Sequence, residues 1–503
     1  MKKFTLIVMT LLFVLSCTNE DTNEIIDQSI SNTDTKTQEL LSVTEINAYI
    51  ESELKQNGDV IWKNAPTNVL WSAVVHGEGI LSIGYGDEGQ SFSEPGKKSS
   101  NLITARENVL SLVQSGEGLL KSSDKILADE TLNVIDAEIS NFTTILALQN
   151  AEQIRYLDPS YGLYLEEKVS VSQQKSAGCV TSGENINSAD YRVISPNAWL
   201  PWNFDIHNVT QAWDYSTGAG ITVGLIDTGI SASQNLLGNG FNDGVSSGRT
   251  VERYGTYIDS FWWWASGTDG PNDKCGHGTQ MASALASPRN NDLMPVGVAY
   301  NCNLVAYRGT EDVVLNDYHE RKGVSNALES LANRSDVKII SMSVGYPWSI
   351  GNVKDAVKYA YSKGKMIIAA GGTSTTFTNW YGVIFPASMS ETVAVTGIKD
   401  NGYNTCDICH DGSKIDFTIV MQRAANTDRT SPVIGFNTGD KSYAGGSSIA
   451  TATTAGIAAL VWATNPSMSR DQVLNKLKQA GEFYPNPDSD FGYGNIDALK
   501  AVQ

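Results

Sequence analysis

The sequence predicts a large α/β unit around a mostly parallel sheet, preceded by a small α+β unit with a ferredoxin-like order of elements. Three observations point there. Residues 218–230 (GAGITVGLIDTGI) form an apolar run between glycines, the pattern of a strand buried on both faces. Residues 443–464 (YAGGSSIATATTAGIAALVWAT) pass from a Gly/Ser loop into a small-residue helix with an apolar stripe at Ile457, Leu460 and Val461. Ahead of both, residues 72–166 read as strand, helix, strand, strand, helix, strand.

Length and charge set the outer limits. At 503 residues the chain exceeds one typical domain, so two domains and a tether are expected. A formal net charge of -19 argues against nucleic acid or an anionic membrane surface as a partner. Hydrophobic content of 41% with 45 glycines, 11 tryptophans and 20 tyrosines suits a globular, turn-rich protein.

The first residues, MKKFTLIVMTLLFVLSC, carry two lysines, an apolar run over 4–15 and then Ser16-Cys17. That run is short for a bilayer span and has the basic head of a secretory signal. It resembles a bacterial lipoprotein signal over residues 1–17, with Cys17 as the lipidated residue. The resemblance implies an exported membrane lipoprotein at the outer membrane or cell surface; a plain signal peptide with an incidental cysteine is the alternative. Polar, acidic residues follow as a solvated tether, and residues 18–58 are expected to hold that tether and one short helix over 42–56, with Val43, Ile46, Ile50 and Leu54 on one face.

Residues 59–168 make up the small domain. The expected elements are a strand over 72–85, a helix over 103–114, a β stretch over 131–148 turning near Ser140-Asn141, a helix over 151–157 and a strand over 161–166. Gly84, Gly86 and Gly89 fit the dinucleotide-binding spacing, but no helix is expected to open at the third glycine, so a turn after a strand is the reading. Residues 169–198 are polar and Ser/Gln/Gly-rich at first, an exposed linker open to proteolysis.

The large domain spans 199–503. Asp227 closes the buried strand, where α/β folds place their sites, and could orient a histidine. Asp-Thr-Gly is also an aspartic protease signature, but no second such motif occurs in the chain, so that reading requires a dimer. His277 stands between two glycines at the start of a small-residue helix (DKCGHGTQMASALA), a position that disfavours the charged ring. Only Cys275 lies near it, and no zinc-ligand spacing is present. Ser448 sits where a loop becomes a helix, beside unpaired N–H groups that would stabilise an oxyanion. A packing helix capped by Ser447 or Ser448 is the plainer reading of that stretch.

Taken together, IDTGI, GHGT and GSSIA, in the order Asp, His, Ser, resemble the subtilisin family of serine peptidases over about residues 199–503. The resemblance implies a three-layer subtilisin-like domain and a serine endopeptidase with Asp227, His277 and Ser448 as its triad. It implies that Ser343, Val344, Gly345, Ala370, Gly371 and Gly372 flank the substrate, although two core strands would read the same way. An oxyanion hole from Ser448 and Thr373 is also implied, the threonine standing where the family has asparagine, with Ser374 nearby. Loss of such a donor typically costs about 3–4 kcal/mol in the transition state. Residues 142–167 resemble the end of subtilase propeptides, which implies a self-processing proenzyme inhibited by its own propeptide; an N-terminal domain that is never removed is the alternative. Implied partners are protein or peptide substrates, the propeptide and, through the lipid anchor, a membrane. The chemistry requires no cofactor and no metal, and a structural calcium is compatible with the family. A rival from another class is an inactive binding lipoprotein that keeps this fold.

Setting Cys17 aside, Cys179, Cys275, Cys302, Cys406 and Cys409 remain, an odd number, so at least one is free or lost with the propeptide. Cys406, Cys409 and His410 have haem-attachment spacing, but a short disulfide or free thiols are expected in this segment. Residues 261–264 (FWWW) either rim the cleft or pack beneath a loop or the propeptide.

Overall fold

The computed structural model describes residues 39–94, 96–119, 125–162, 178–260, 262–373 and 382–503. Cys17 and the acidic stretch after it, Phe261, Ser374, residues 163–166 of the last expected small-domain strand and residues 169–177 of the expected linker lie outside the described residues.

The chain enters the small domain through α1 (Val43–Asn57), which starts on a capping box between Ser42 and Glu45 and ends on Gly58 at φ 71. Its buried face is the expected one, Val43, Ile46, Ile50 and Leu54. These side chains join the small domain's core, so α1 is part of that domain's body rather than of the tether. Next come α2 (Thr67–His76), β1 (Ile80–Tyr85), α3 (Ser100–Glu117), β2 (Ile126–Ala128), β3 (Val134–Glu138), α4 (Phe142–Asn150) and β4 (Ile154–Pro159).

Several boundaries differ from expectation. Residues 72–76 are helical, because Val69, Leu70, Ala73 and Val74 lie at helical spacing and are buried, which outweighs the β preference of Val74-Val75. The chain turns into β1 only after Gly77 and Gly79. The expected β stretch over 131–148 and helix over 151–157 are likewise replaced: residues 142–150 are helical with Thr144, Ile145 and Leu148 buried, and β4 follows a turn at Gln153, φ 59. Among the described residues the sheet runs β2-β3-β1-β4, all pairs antiparallel, so the ferredoxin-like order stands although its elements shift.

The large domain begins before residue 199. A hairpin of β5 (Tyr191–Ile194) and β6 (Ala198–Pro201) precedes the sheet, and Asp190 beside it is buried between Arg423 and Arg429. Thereafter come β7 (Thr222–Asp227), β8 (Val251–Gly255), α5 (His277–Ala286), β9 (Asn303–Arg308), α6 (Tyr318–Ala332), β10 (Val337–Met342), α7 (Gly351–Ser362), β11 (Met366–Ala370), β12 (Thr392–Lys399), β13 (Phe417–Gln422), β14 (Ser431–Ile434), β15 (Lys441–Ala444), α8 (Gly446–Thr464) and α9 (Arg470–Ala480).

Seven of these strands form one parallel sheet in the order β8-β9-β7-β10-β11-β12-β13. The strand order reverses at β7, so the crevice at its carboxyl end is a topological switch point, where open α/β sheets hold their sites. Alternation sorts side chains into two layers: Val223, Leu225, Ile339 and Ile368 pack with α5 and α8, whereas Ile226, Val305, Ile340 and Ile367 pack with α6 and α7. α8 is long and apolar enough for a membrane span, but 89% of that window is buried in the domain, so it is a core helix.

The small domain docks on α6 and α7, and its core is continuous with theirs. Polar anchors fix the register. Asp59 and Asp158 accept hydrogen bonds from Ser349 N at 2.8 Å and Gly351 N at 2.5 Å at the start of α7, placing carboxylates at a helix N-terminus. Arg321 donates to the carbonyls of Pro159 and Tyr161 at 2.8 Å each. Trp263 is buried against Ile80 and Tyr318 at this interface, which favours packing beneath the small domain over a cleft-rim role.

Candidate active site

Asp227 is the last residue of β7, fully buried at the switch point. Its Oδ1 accepts from Thr228 N at 2.8 Å and from His277 Nδ1 at 2.7 Å. His277 is the first residue of α5. Glycine is required after it: a Cβ on Gly278 would lie 2.3 Å from Gly229 O.

Burial disfavours the charged imidazole, but the carboxylate of Asp227 outweighs it, so the pKa of His277 is raised above 6.5. The expected depression by the helix N-terminus is therefore not what governs this ring. With Nδ1–H donating to Asp227, Nε2 is left as the basic atom.

Asp273 is a candidate site residue that the sequence pattern did not single out. Its Oδ1 accepts from Thr228 Oγ1 at 2.9 Å, Cys275 N at 2.9 Å and Gly276 N at 2.7 Å, and its Oδ2 accepts from Thr279 N at 3.0 Å and Thr279 Oγ1 at 2.7 Å. One carboxylate thus ties the Asp227 turn to the start of α5. Burial pushes its own pKa up, against these hydrogen bonds. Its signal was an acid four residues before the histidine with a threonine two residues after it.

Ser448 lies in the first turn of α8, which packs directly on α5. Ser448 and His277 each lie in the first turn of their helix, and the two helices pack on each other. Among the described residues no hydrogen bond joins the Ser448 hydroxyl to the imidazole; such bonds are often long before substrate arrives.

Thr373 follows β11 and lies with Ser448 in the wall of one cleft. Its hydroxyl is 3.2 Å from Ser447 Oγ, which also donates to Gly372 O at 2.9 Å and accepts from Gly372 N at 3.2 Å. Ser447 thereby holds the strand carrying Thr373 against the turn carrying Ser448. That cleft is lined by Ser343, Val344, Gly345, Ala370 and Gly372 among the expected residues, and also by Val313, Val314, Tyr346 and Ile384. Gly371 is different: its N–H donates to Val395 O at 2.8 Å and a Cβ there would meet Ile415 at 2.6 Å, so it turns into the core.

The described cysteines resolve into Cys179–Cys275 and Cys406–Cys409, with Cys302 buried and free. Bonding to Cys179 removes Cys275 as a ligand beside His277. Cys302 is held as a thiol, because burial pushes its pKa up to about 12. Among the described residues no group of three or more His, Cys, Asp or Glu side chains is arranged to hold a metal ion.

The family model described as "Subtilase family" matches residues 218–494. The chain is 30% identical over 295 residues to subtilisin DY of Bacillus licheniformis, covering 57% of this chain and 93% of that one. It is 29% identical over 287 residues to alkaline elastase YaB of Bacillus sp. (strain YaB), covering 57% of this chain and 66% of that one, just under two thirds of the relative's length. Thermitase of Thermoactinomyces vulgaris is 25% identical over 299 residues, with 58% and 92% covered. Among solved structures, MycP1 with its N-terminal propeptide removed aligns at a TM-score of 0.47 and 21% identity, with 60% of this chain and 98% of that chain covered.

Proposed function

The chain belongs to the subtilase family of serine peptidases, and from that premise we propose that it is a serine endopeptidase, made as a self-processing proenzyme and tethered to a membrane. The observation that carries this reading is the 2.7 Å bond from His277 Nδ1 to Asp227 at the end of β7, with Ser448 at the start of the helix packed beside it.

Each residue then has a role. His277 Nε2 takes the Ser448 proton as Oγ attacks a peptide carbonyl, and returns it to the leaving amine as the C–N bond breaks. Water, deprotonated by the same nitrogen, attacks the acyl-enzyme; the Oγ–acyl bond breaks and the proton returns to Ser448. Asp227 holds the tautomer and offsets the imidazolium charge. The tetrahedral oxyanion is held by Ser448 N–H, at the N-terminus of α8, and by the Thr373 hydroxyl. Val313, Val314 and Ile384 make the neighbouring pocket suited to an apolar side chain.

The small domain acts as the propeptide. Its described chain ends at Gly162 against Asn316, and Asn316 Oδ1 accepts from Tyr346 OH of the substrate cleft at 3.2 Å. Cleavage between the two domains opens the cleft to other substrates. The test compares the new N-terminus of the purified wild-type chain with that of Ser448→Ala: cutting in the first and an intact chain in the second support the proposal, and identical processing of both contradicts it. Lipidation at Cys17 supplies the anchor and places the protein at the outer membrane or cell surface, a reading supported by the residues MKKFTLIVMTLLFVLSC. Loss of membrane fractionation in Cys17→Ser checks it.

A second reading is favoured by two observations, Thr373 in place of an amide donor and the missing Ser448–His277 hydrogen bond. It makes the protein a binding lipoprotein with little or no turnover, indifferent to Ser448→Ala.

A further inference from the structure

The relay leaves Cys179 and its neighbours without a role, yet they lie against the catalytic histidine. A Cβ on Gly178, φ +76, would lie 2.6 Å from His277 Cδ2, and one on Gly276 would lie 2.1 Å from Val180 O. Only glycines let this backbone press so closely on the imidazole and its loop. The contact is locked at one end by the Cys179–Cys275 disulfide, two residues before His277. At the other end Glu184 N donates to Lys441 O at 2.7 Å, and the Glu184 carboxylate accepts from Ser442 Oγ at 2.9 Å and Tyr443 N at 2.8 Å.

Chain direction says which side of the cleft this is. The described chain leaves the small domain at Gly162 on the Tyr346 side of the substrate cleft and resumes at Gly178 on His277. In a chain that cuts itself, residues before the broken bond lie on the acyl side and residues after it on the leaving-group side. With the cut between Gly162 and Gly178, residues 178–184 follow the broken bond and belong to the leaving-group side, and none of them lines the pocket next to Ser448.

We propose that residues 178–184, stapled by Cys179–Cys275, form a fixed wall on the leaving-group side of the cleft, which makes the enzyme discriminate against substrates with long leaving segments. This rests on the serine peptidase reading. In a chain without the staple, the segment following the processing cut is free to swing away; here it stays on His277 after maturation.

The test uses two substrates with one acyl-side sequence: a peptide p-nitroanilide, whose leaving group is a single arylamine, and a quenched peptide extended by several residues past the scissile bond. The ratio of kcat/KM for extended peptide over anilide is measured in wild type and in the Cys179→Ser/Cys275→Ser double variant. The ratio is expected to rise roughly tenfold or more, the low end of the discrimination that pocket contacts give; an unchanged ratio overturns the wall. Should that variant not fold, the same ratio is read in Cys406→Ser/Cys409→Ser before and after mild reduction, where Cys179–Cys275 is the remaining disulfide among the described residues. Hydrolysis of the anilide with no change in ratio sinks the wall alone; hydrolysis of neither substrate sinks the peptidase reading and the wall with it.

Discussion

Arg155 of the small domain and Asp355 of α7 form a two-pronged ion pair, with Nη1–Oδ1 at 2.8 Å and Nη2–Oδ2 at 2.7 Å and side chains only 7% and 2% exposed. Tyr156 adds a hydrogen bond to the same carboxylate at 3.2 Å. Burial raises the pKa of Asp355, and the guanidinium opposes that rise. The two domains thus share a buried charge pair as well as an apolar core.

Removing one partner strands the other. Arg155→Ala is expected to destabilise the docked chain by about 3–5 kcal/mol, the usual cost of an uncompensated buried charge. Arg155→Ala/Asp355→Ala should cost less than the sum of the two single changes. Denaturant unfolding of the four proteins, in the Ser448→Ala background to prevent cutting, gives the coupling.

Docking should weaken as pH rises. Burial pushes Asp158 up to about 7 from 3.8, partly opposed by the Gly351 N–H and by Arg321. The docked state therefore holds a proton that the exposed carboxyl releases near pH 4. Stability from this group is complete below about pH 4 and is lost progressively up to about pH 7. Glu329, raised to about 7 by burial and Asp129, adds to the same trend. Binding of the isolated small domain to the large domain should be tighter at pH 5 than at pH 8, and Asp158→Asn should flatten that difference.

Thr373 carries the oxyanion reading. Thr373→Val removes the hydroxyl at nearly constant volume and is expected to lower kcat by roughly 10- to 1000-fold with KM little changed. Thr373→Asn, which has a longer donor, should equal or exceed wild type. A fall in KM-linked binding alone would place Thr373 in the pocket wall rather than at the oxyanion.

The acid limb of the pH–rate profile reports His277. Because Asp227 raises its pKa above 6.5, kcat/KM should decline below a midpoint higher than 6.5. Asp227→Asn should move that midpoint down and reduce kcat by about 10⁴-fold. An acid limb unmoved by Asp227→Asn would separate the carboxylate from the base.

Legibility followed how local each signal was. Asp227, His277 and Ser448 could be read because glycines and small residues mark the turns and helix starts that carry them. The packing inside the small domain could not be read: residues 67–76 and 142–150 bury one face against each other and against β4, which makes helices where β-branched residues suggested strand. Asp273 was visible in the sequence, but its five hydrogen bonds join two segments that only the fold brings together. Cysteine pairing was equally non-local, since Cys179 and Cys275 are 96 residues apart. Gly371 looked like its neighbours in the substrate strand and differs only in pointing inward.

The proposed chemistry requires Ser448 to be a nucleophile activated by His277 and Asp227. A fluorophosphonate reagent, applied to the processed protein and followed by peptide mass mapping, tests it most directly. One adduct is expected, on Ser448, lost in Ser448→Ala, strongly slowed in His277→Ala and retained in Ser447→Ala. An unlabelled Ser448 in fully processed, folded protein, or labelling that is indifferent to His277, would contradict it.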